Sequence, residues 1–356
     1  MIDAPQRVAG RVAPSFEHLD RLSDNQGIFE HARFSTRRVS HGYCTDDNAR
    51  LLIVAAREPN AGVAGRLCDV ALRFVLDSQE PDGSFRNRMN ADRSWEDKGS
   101  VEDCWGRAMW GLGVAVAHHD CIEARQVALD AFRRGAVLRS PSTRALAFAA
   151  LGAAEILTAY PHETGAYDLL RDFAASVGPT DSLAWSWPEA TLRYANASIA
   201  EALIASGAWC GVQADFMRGT NMLRWLLDAE TIDGHLSVVG ASGRIKGAAG
   251  PQFDQQPIEV AAMADACLRA WNLTGDSHWR RGIDMATNWF MGFNDVGLVM
   301  YDPQTGGGFD GLQHDSVNLN QGAESTLAFV STMQVARQAA LRDQVAEQRV
   351  KPFLHG

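Results

Sequence analysis

Surplus basic charge is the first thing this sequence lacks. Its 33 Lys and Arg face 43 Asp and Glu, a net charge of −10. Nucleic acid and anionic membrane surfaces both require a basic footprint, so neither is expected as a partner. No apolar run is long enough to span a bilayer. The N-terminus, MIDAPQRVAGRV, has no uninterrupted apolar core of the signal-peptide kind, so a soluble cytoplasmic protein is expected. The six cysteines form no Cys-x-x-Cys pair, and most sit inside apolar helical patterns. They read as small core residues in a reducing compartment, with disulfides not expected. No Cys/His cluster has zinc-ligand spacing, so no metal is expected, and nothing points to a cofactor. Gly306-Gly307-Gly308 is not followed by Lys-Ser/Thr, which excludes a phosphate loop. Strand signal is almost absent, leaving only Val238–Val239 and Leu298–Tyr301 as short hairpin candidates; a parallel α/β fold is excluded. No Gly/Pro/Ser-rich linker divides the chain, so residues 1–356 read as one domain, with an irregular N-terminal segment 1–40 and a frayed tail 343–356.

What is present is helix. A chain of 356 residues with 46% hydrophobic content can bury a large core. Apolar residues recur at three- and four-residue spacing in paired segments. The pairs are 45–58 with 61–79, 102–118 with 121–136, 142–159 with 163–176, 190–207 with 211–229, and 256–273 with 276–292. A last helix is expected at 320–342, with a short helix near Phe16–Leu22 in the N-terminal segment that supplies its partner. Connections within pairs are short. Several connections between pairs are long and carry Asp-Gly turns at Asp82-Gly83, Asp233-Gly234 and Asp310-Gly311. Long connections in a compact domain are usually functional. Five or six helical hairpins with long loops on one side describe an all-α (α/α)6 toroid.

The first member of each pair follows a long loop and is rich in small residues, which marks it as the inner helix. The inner helices then start at one mouth of the barrel. Acids, amides, Arg and Tyr collect there: Asp46 and Asp47, Glu102 and Asp103, Arg144, Tyr194, Gln255, Gln256 and Glu259, and Asn320, Gln321 and Glu324. Acids are favoured in the first turn of any helix, where they meet free N–H groups and the positive dipole end. Ser100-x-x-Asp103 has the pattern of a capping box. Capping accounts for one acid of each adjacent pair and leaves the other unexplained, as it does Arg50, Arg107 and Arg193 close behind. The stretch SVEDCWGRAMWGLG (100–113) concentrates the pattern: two acids, then Trp105 and Arg107. Trp95, Trp105, Trp185, Trp187 and Phe85 fall in loops or first turns around the expected mouth, as sugar-stacking platforms would; Trp110, Trp225, Trp271 and Trp289 read as core.

The phrases HGYCTDDNARLLIVAA (41–56), QEPDGSFRN (79–87), SVEDCWGRAMWGLG (100–113) and VNLNQGAESTLAF (317–329) resemble bacterial proteins of the six-hairpin glycosidase superfamily, often found in glycosyltransferase contexts. The resemblance spans roughly residues 15–342. It implies an (α/α)6 barrel and a carbohydrate-related activity, and it assigns no individual catalytic residue.

An inverting glycoside hydrolase needs a protonated acid at the leaving oxygen and a carboxylate roughly 6.5–9.5 Å away that activates water. Glu102 is the expected general acid, on the expectation that Trp105 and an apolar helix desolvate it. Asp254 and Glu259 are the expected bases, with Glu324 behind them. Asp46 and Asp47 are expected to bind sugar hydroxyls, or one of them to exchange roles with Glu102. Asp103, Trp105, Arg107, Trp187, Gln255, Gln256, Asn320, Gln321 and His41 complete the expected substrate contacts. An oligosaccharide or polysaccharide is the expected substrate. Sugar epimerases of this architecture depend on paired histidines, whereas His41, His235 and His314 are scattered here. A sugar epimerase, ranked lower for that reason, a lyase, a phosphorylase and a non-catalytic glycan-binding protein remain alternatives.

Overall fold

The computed structural model describes residues 13–58, 62–180, 182 and 184–350. Six inner helices form a closed ring: α2 (Thr45–Ala56), α4 (Asp103–His118), α6 (Thr143–Ala159), α8 (Asn196–Cys210), α10 (Pro257–Thr274) and α12 (Ala323–Val350). Each packs on the next, and α12 closes on α2. The outer helices α3 (Val63–Ser78), α5 (Ile122–Gly135), α7 (Thr164–Ser176), α9 (Gln213–Ala229) and α11 (Ser277–Phe290) back their inner partners, while the short α1 (Glu17–Leu22) backs α12. The protein is an (α/α)6 barrel.

Burial explains which helices lie inside. In α8 every residue from Asn196 to Gly207 is buried, as suits a helix enclosed on all sides. The outer α11 instead buries one stripe, including Trp279, Ile283, Ala286 and Trp289, and turns its charges outward. Small residues let the inner helices approach closely. A Cβ added at Gly113 of α4 would overlap the carbonyl oxygen of Gly152 in α6, and one at Gly152 would overlap that of Met109.

Three details depart from the sequence reading. The segment 13–40 is ordered structure: besides α1 it holds a ribbon of Ala32–Arg33 with Thr36–Arg37 and a 3-10 turn at Val39–His41, anchored by buried Leu19, Leu22, Ile28 and Phe29. Residues 1–12 lie outside the described residues. Helix α12 continues through Val350, past the expected end at 342, and 351–356 lie outside the described residues. The hairpin expected at Val238–Val239 forms earlier, pairing Thr231–Ile232 with His235–Leu236 across Asp233-Gly234, where both turn residues have positive φ. Among the described residues no helix is long and apolar enough to cross a membrane. Cys44, Cys68, Cys104 and Cys267 are buried, but Cys121 is exposed and Cys210 half-buried.

Candidate active site

All six inner helices begin at the same mouth, and the long loops after α3, α7, α9 and α11 return there. An axial cavity of about 490 Å³, the solvent at its opening included, runs down from this mouth. Its upper wall is Arg50, Arg107, Ser198, Ile258 and Glu324; its deeper wall includes Ile53, Val54 and Trp110, with Leu327, Ala328, Asp265 and Ser331 also lining it. A hollow at the rim is lined by Asp46, Asn87, Asp97, Glu102, Asp103, Ser142 and Tyr194.

Charge connects the two. Arg50 donates from Nη1 to Asp47 Oδ1 at 2.6 Å and its Nη2 is 2.8 Å from Glu324 Oε2. Arg107, 4% exposed, brings Nε to 3.6 Å from Asp46 Oδ1 and lies over the Phe148 ring at 4.1 Å. Asn87 Nδ2 donates to Asp46 Oδ2 at 3.1 Å, whereas buried Asp46 Oδ1 accepts no hydrogen bond. Burial pushes the Asp46 carboxyl above its ordinary range, against the pull of Arg107 and Arg50. Burial likewise pushes Asp47 up to about 6, opposed by Arg50. Burial and the neighbouring Arg50 charge lower Arg107. The phenol of Tyr194 is raised by burial and by Asp103 beside it.

The expected residues divide into those at the mouth and those elsewhere. Asp46, Asp47, Asp103, Arg107 and Glu324 gather at the mouth. Glu102 is also at the rim, but its side chain is exposed, not desolvated: it is the N-cap residue of α4 and makes no side-chain cap. The capping box does not form: Ser100 Oγ accepts the Glu102 N–H at 3.4 Å and pairs with Cys104 Sγ at 3.5 Å, and no bond to the Asp103 N–H is made. The rim hollow beside Glu102 contains none of Asp254, Glu259 and Glu324. Asp254 is exposed on its loop. Glu259 is 4% exposed and accepts the backbone N–H groups of Ala195 at 2.6 Å and Asn196 at 3.4 Å, so it caps the neighbouring α8. Burial outweighs those bonds and lifts its carboxyl to about 7.

The aromatic platforms are not where the sequence suggested. Trp105 is fully buried, its Nε1 donating to Gly135 O at 3.3 Å on α5. Trp187 is fully buried and stacked on Trp225; Trp185 meets Trp225 edge-on, and Phe85 is core. Trp95 packs on Phe74 under Arg86. Of the amides, Gln255 holds a loop by donating to Asp295 at 2.5 Å and accepting from Trp289 at 3.2 Å. Gln321 bonds Thr305 and Asp302, and Asn320 accepts the Phe34 N–H. Gln256 lines a separate hollow with Glu259 and Tyr194. His41 is exposed, edge-on to His31. Trp110 is in the core, as expected, but also walls the axial cavity, and its buried Nε1 has no partner. Its place one helical turn below Arg107 on α4 was the signal available for that. Neither the axial cavity nor the rim hollow is lined by a histidine among the described residues. Among them, no group of three His, Cys, Asp or Glu side chains could hold a metal ion.

A ring of six helical hairpins, closed on itself with its charged groups at one mouth, defines the six-hairpin barrel class of fold. Solved structures share that fold across nearly the whole chain. A cellobiose 2-epimerase from Bacillus thermoamylovorans is 9% identical, with 91% of this chain and 95% of that one covered and a TM-score of 0.70. A sugar epimerase from a ruminal bacterium is 12% identical, with 90% and 95% covered and a TM-score of 0.68. An α-mannanase from Bacteroides thetaiotaomicron is 10% identical, with 85% and 88% covered and a TM-score of 0.58. At such identities the likeness is one of fold. No protein-family model and no curated protein matches the sequence.

Proposed function

We propose that the protein is a carbohydrate-active enzyme that hydrolyses a glycosidic bond at the N-terminal mouth of its barrel. The observation that carries this reading is Asp46: a half-buried carboxyl whose Oδ1 is sealed and unpartnered, beside Arg107, among further acids. Glycoside hydrolysis needs a carboxyl that keeps its proton near neutral pH and a second carboxylate that stays ionised. Asp46, raised by burial, suits the first role better than exposed Glu102. Glu324, held against Arg50 at 2.8 Å inside the axial cavity, suits the second. Asp103, Tyr194 and Arg107 are placed to bind sugar hydroxyls, with Asp47 holding Arg50. Trp110 takes the stacking role that Trp105 and Trp187, being sealed in the core, cannot.

The fold is equally that of sugar epimerases, whose chemistry on this architecture is expected to use paired histidines; the lining of this mouth favours carboxylate chemistry. The test is product analysis on a panel of α- and β-linked oligosaccharides, with and without phosphate. New reducing ends independent of phosphate support hydrolysis. Sugar phosphates as products identify a phosphorylase, and a sugar of changed configuration with its linkage intact identifies an epimerase; either result removes the hydrolytic reading.

A further inference from the structure

The barrel has a second opening. At the C-terminal ends of the inner helices lies a hollow of about 1280 Å³, open to solvent. It is lined by side chains from five inner helices, among them His118 of α4, Glu155 of α6, Glu201 and Trp209 of α8, and Asp265 and Arg269 of α10, with Arg57 just past the end of α2. Asp265 also lines the axial cavity, so it belongs to the floor between the two mouths.

Its polar groups form a balanced network. Arg269 donates from Nε to Glu201 Oε1 at 2.8 Å and from Nη2 to Glu155 Oε1 at 3.0 Å. Arg57 donates to Asp265 at 3.0 Å. Burial would raise Glu155, but His118, Arg269 and Arg57 outweigh it and hold the group down at about 2. Burial pushes Glu201 up to about 7. Two arginines therefore face the carboxyls of Glu155, Glu201 and Asp265, the second of them raised by burial, which leaves little net charge to attract an ion.

One group is unfinished. Glu201 is 2% exposed, and its Oε2 is sealed from water without any hydrogen-bond partner. A buried polar atom left unpaired is costly, and a hydroxyl bound in the hollow would relieve it. Beside it, the half-buried Trp209 presents an indole to the hollow. Charged hydrogen-bonding groups next to an aromatic face suit a ligand that carries many hydroxyls, no net charge and an apolar ring face.

We propose that this far mouth is a second binding site for a neutral sugar unit, stacked on Trp209 and hydrogen-bonded by Glu201 and Arg269. It is independent of the chemistry assigned to the N-terminal mouth. The test is saturation-transfer NMR on the full chain with glucose, mannose and galactose, comparing wild type with Trp209→Ala. At least one of these sugars should bind the wild type, with its affinity lowered by about tenfold or more in W209A. Binding of none, or a smaller loss in W209A, overturns the assignment. Crystals soaked in the same sugars give a reading that does not depend on the variant folding. Sugar density against Trp209 and Glu201 supports the site; sugar density only at the N-terminal mouth, or none, overturns it.

Discussion

Asp46 Oδ1 stands 3.6 Å from Arg107 Nε, buried and without a hydrogen bond, where an inner helix of one hairpin meets that of the next. Arg107 pulls the Asp46 proton off while burial holds it on, and burial is the larger influence. Replacing the guanidinium with an apolar side chain of similar length removes the opposing influence. Arg107→Met should therefore move the alkaline limb of the pH–rate profile, where the acid loses its proton, to higher pH. The shift of the limb is the readout, because loss of a hydroxyl contact would lower the rate without moving it. An unmoved limb separates Asp46 from the proton transfer.

Glu259 should prove structural first. Its carboxylate satisfies the Ala195 and Asn196 N–H groups at the start of α8. Glu259→Ala leaves buried donors unpaired and should cost about 1–3 kcal/mol in denaturant unfolding. Glu259→Gln, which keeps one acceptor oxygen, should cost less. Equal stability of E259A and wild type would show that α8 does not depend on this cap.

Stability should also fall as the pH rises. Glu230 is 2% exposed; burial and the charge of Glu259 lift its carboxyl from 4.5 to about 8, with Arg244 opposing. The folded state then binds a proton that the unfolded state has lost. The contribution is intact below pH 4.5 and disappears as pH rises through about 8. Glu230→Gln should flatten the loss of stability across this window and leave the variant more stable than wild type at the alkaline end. Parallel pH profiles for the two proteins would contradict this.

The ring itself has a packing test. Gly113 and Gly152 let α4 and α6 touch backbone to backbone. Gly113→Ala forces the helices apart and should destabilise by about 1–3 kcal/mol or more despite alanine's better helix propensity. A stabilised G113A would mean that this contact is looser than described.

The ring was legible in the sequence because inner and outer helices bury different faces. Helix α8 is apolar nearly throughout and α11 only along one stripe, and the connections alternate between short and long. The location of the mouth was legible for the same reason: Asp46, Asp103, Arg107 and Glu324 are polar residues at the starts of helices that are otherwise apolar. Which way a side chain points was not legible. Trp105 and Trp110 both follow Glu102 on one helix, yet the first turns outward to α5 and the second inward to the cavity. Only the packing of α4 between its neighbours decides which face is which. Glu259 looked like an acid of its own helix start, and its role in capping α8 depends on an approach 64 residues distant in sequence. Trp187 lay in a loop that sequence alone places at the surface, but Trp225 of α9 takes it into the core.

The most direct test of Asp46 as proton donor compares two leaving groups. A general acid matters when the departing sugar oxygen needs a proton and hardly at all when a dinitrophenolate leaves unaided. On whichever oligosaccharide the enzyme cleaves, Asp46→Asn should lower kcat/KM by about 10²–10⁴-fold. On the dinitrophenyl glycoside of the same sugar it should retain most of the wild-type rate. Equal losses on both substrates, or near-wild-type cleavage of the oligosaccharide, would contradict the role given to Asp46.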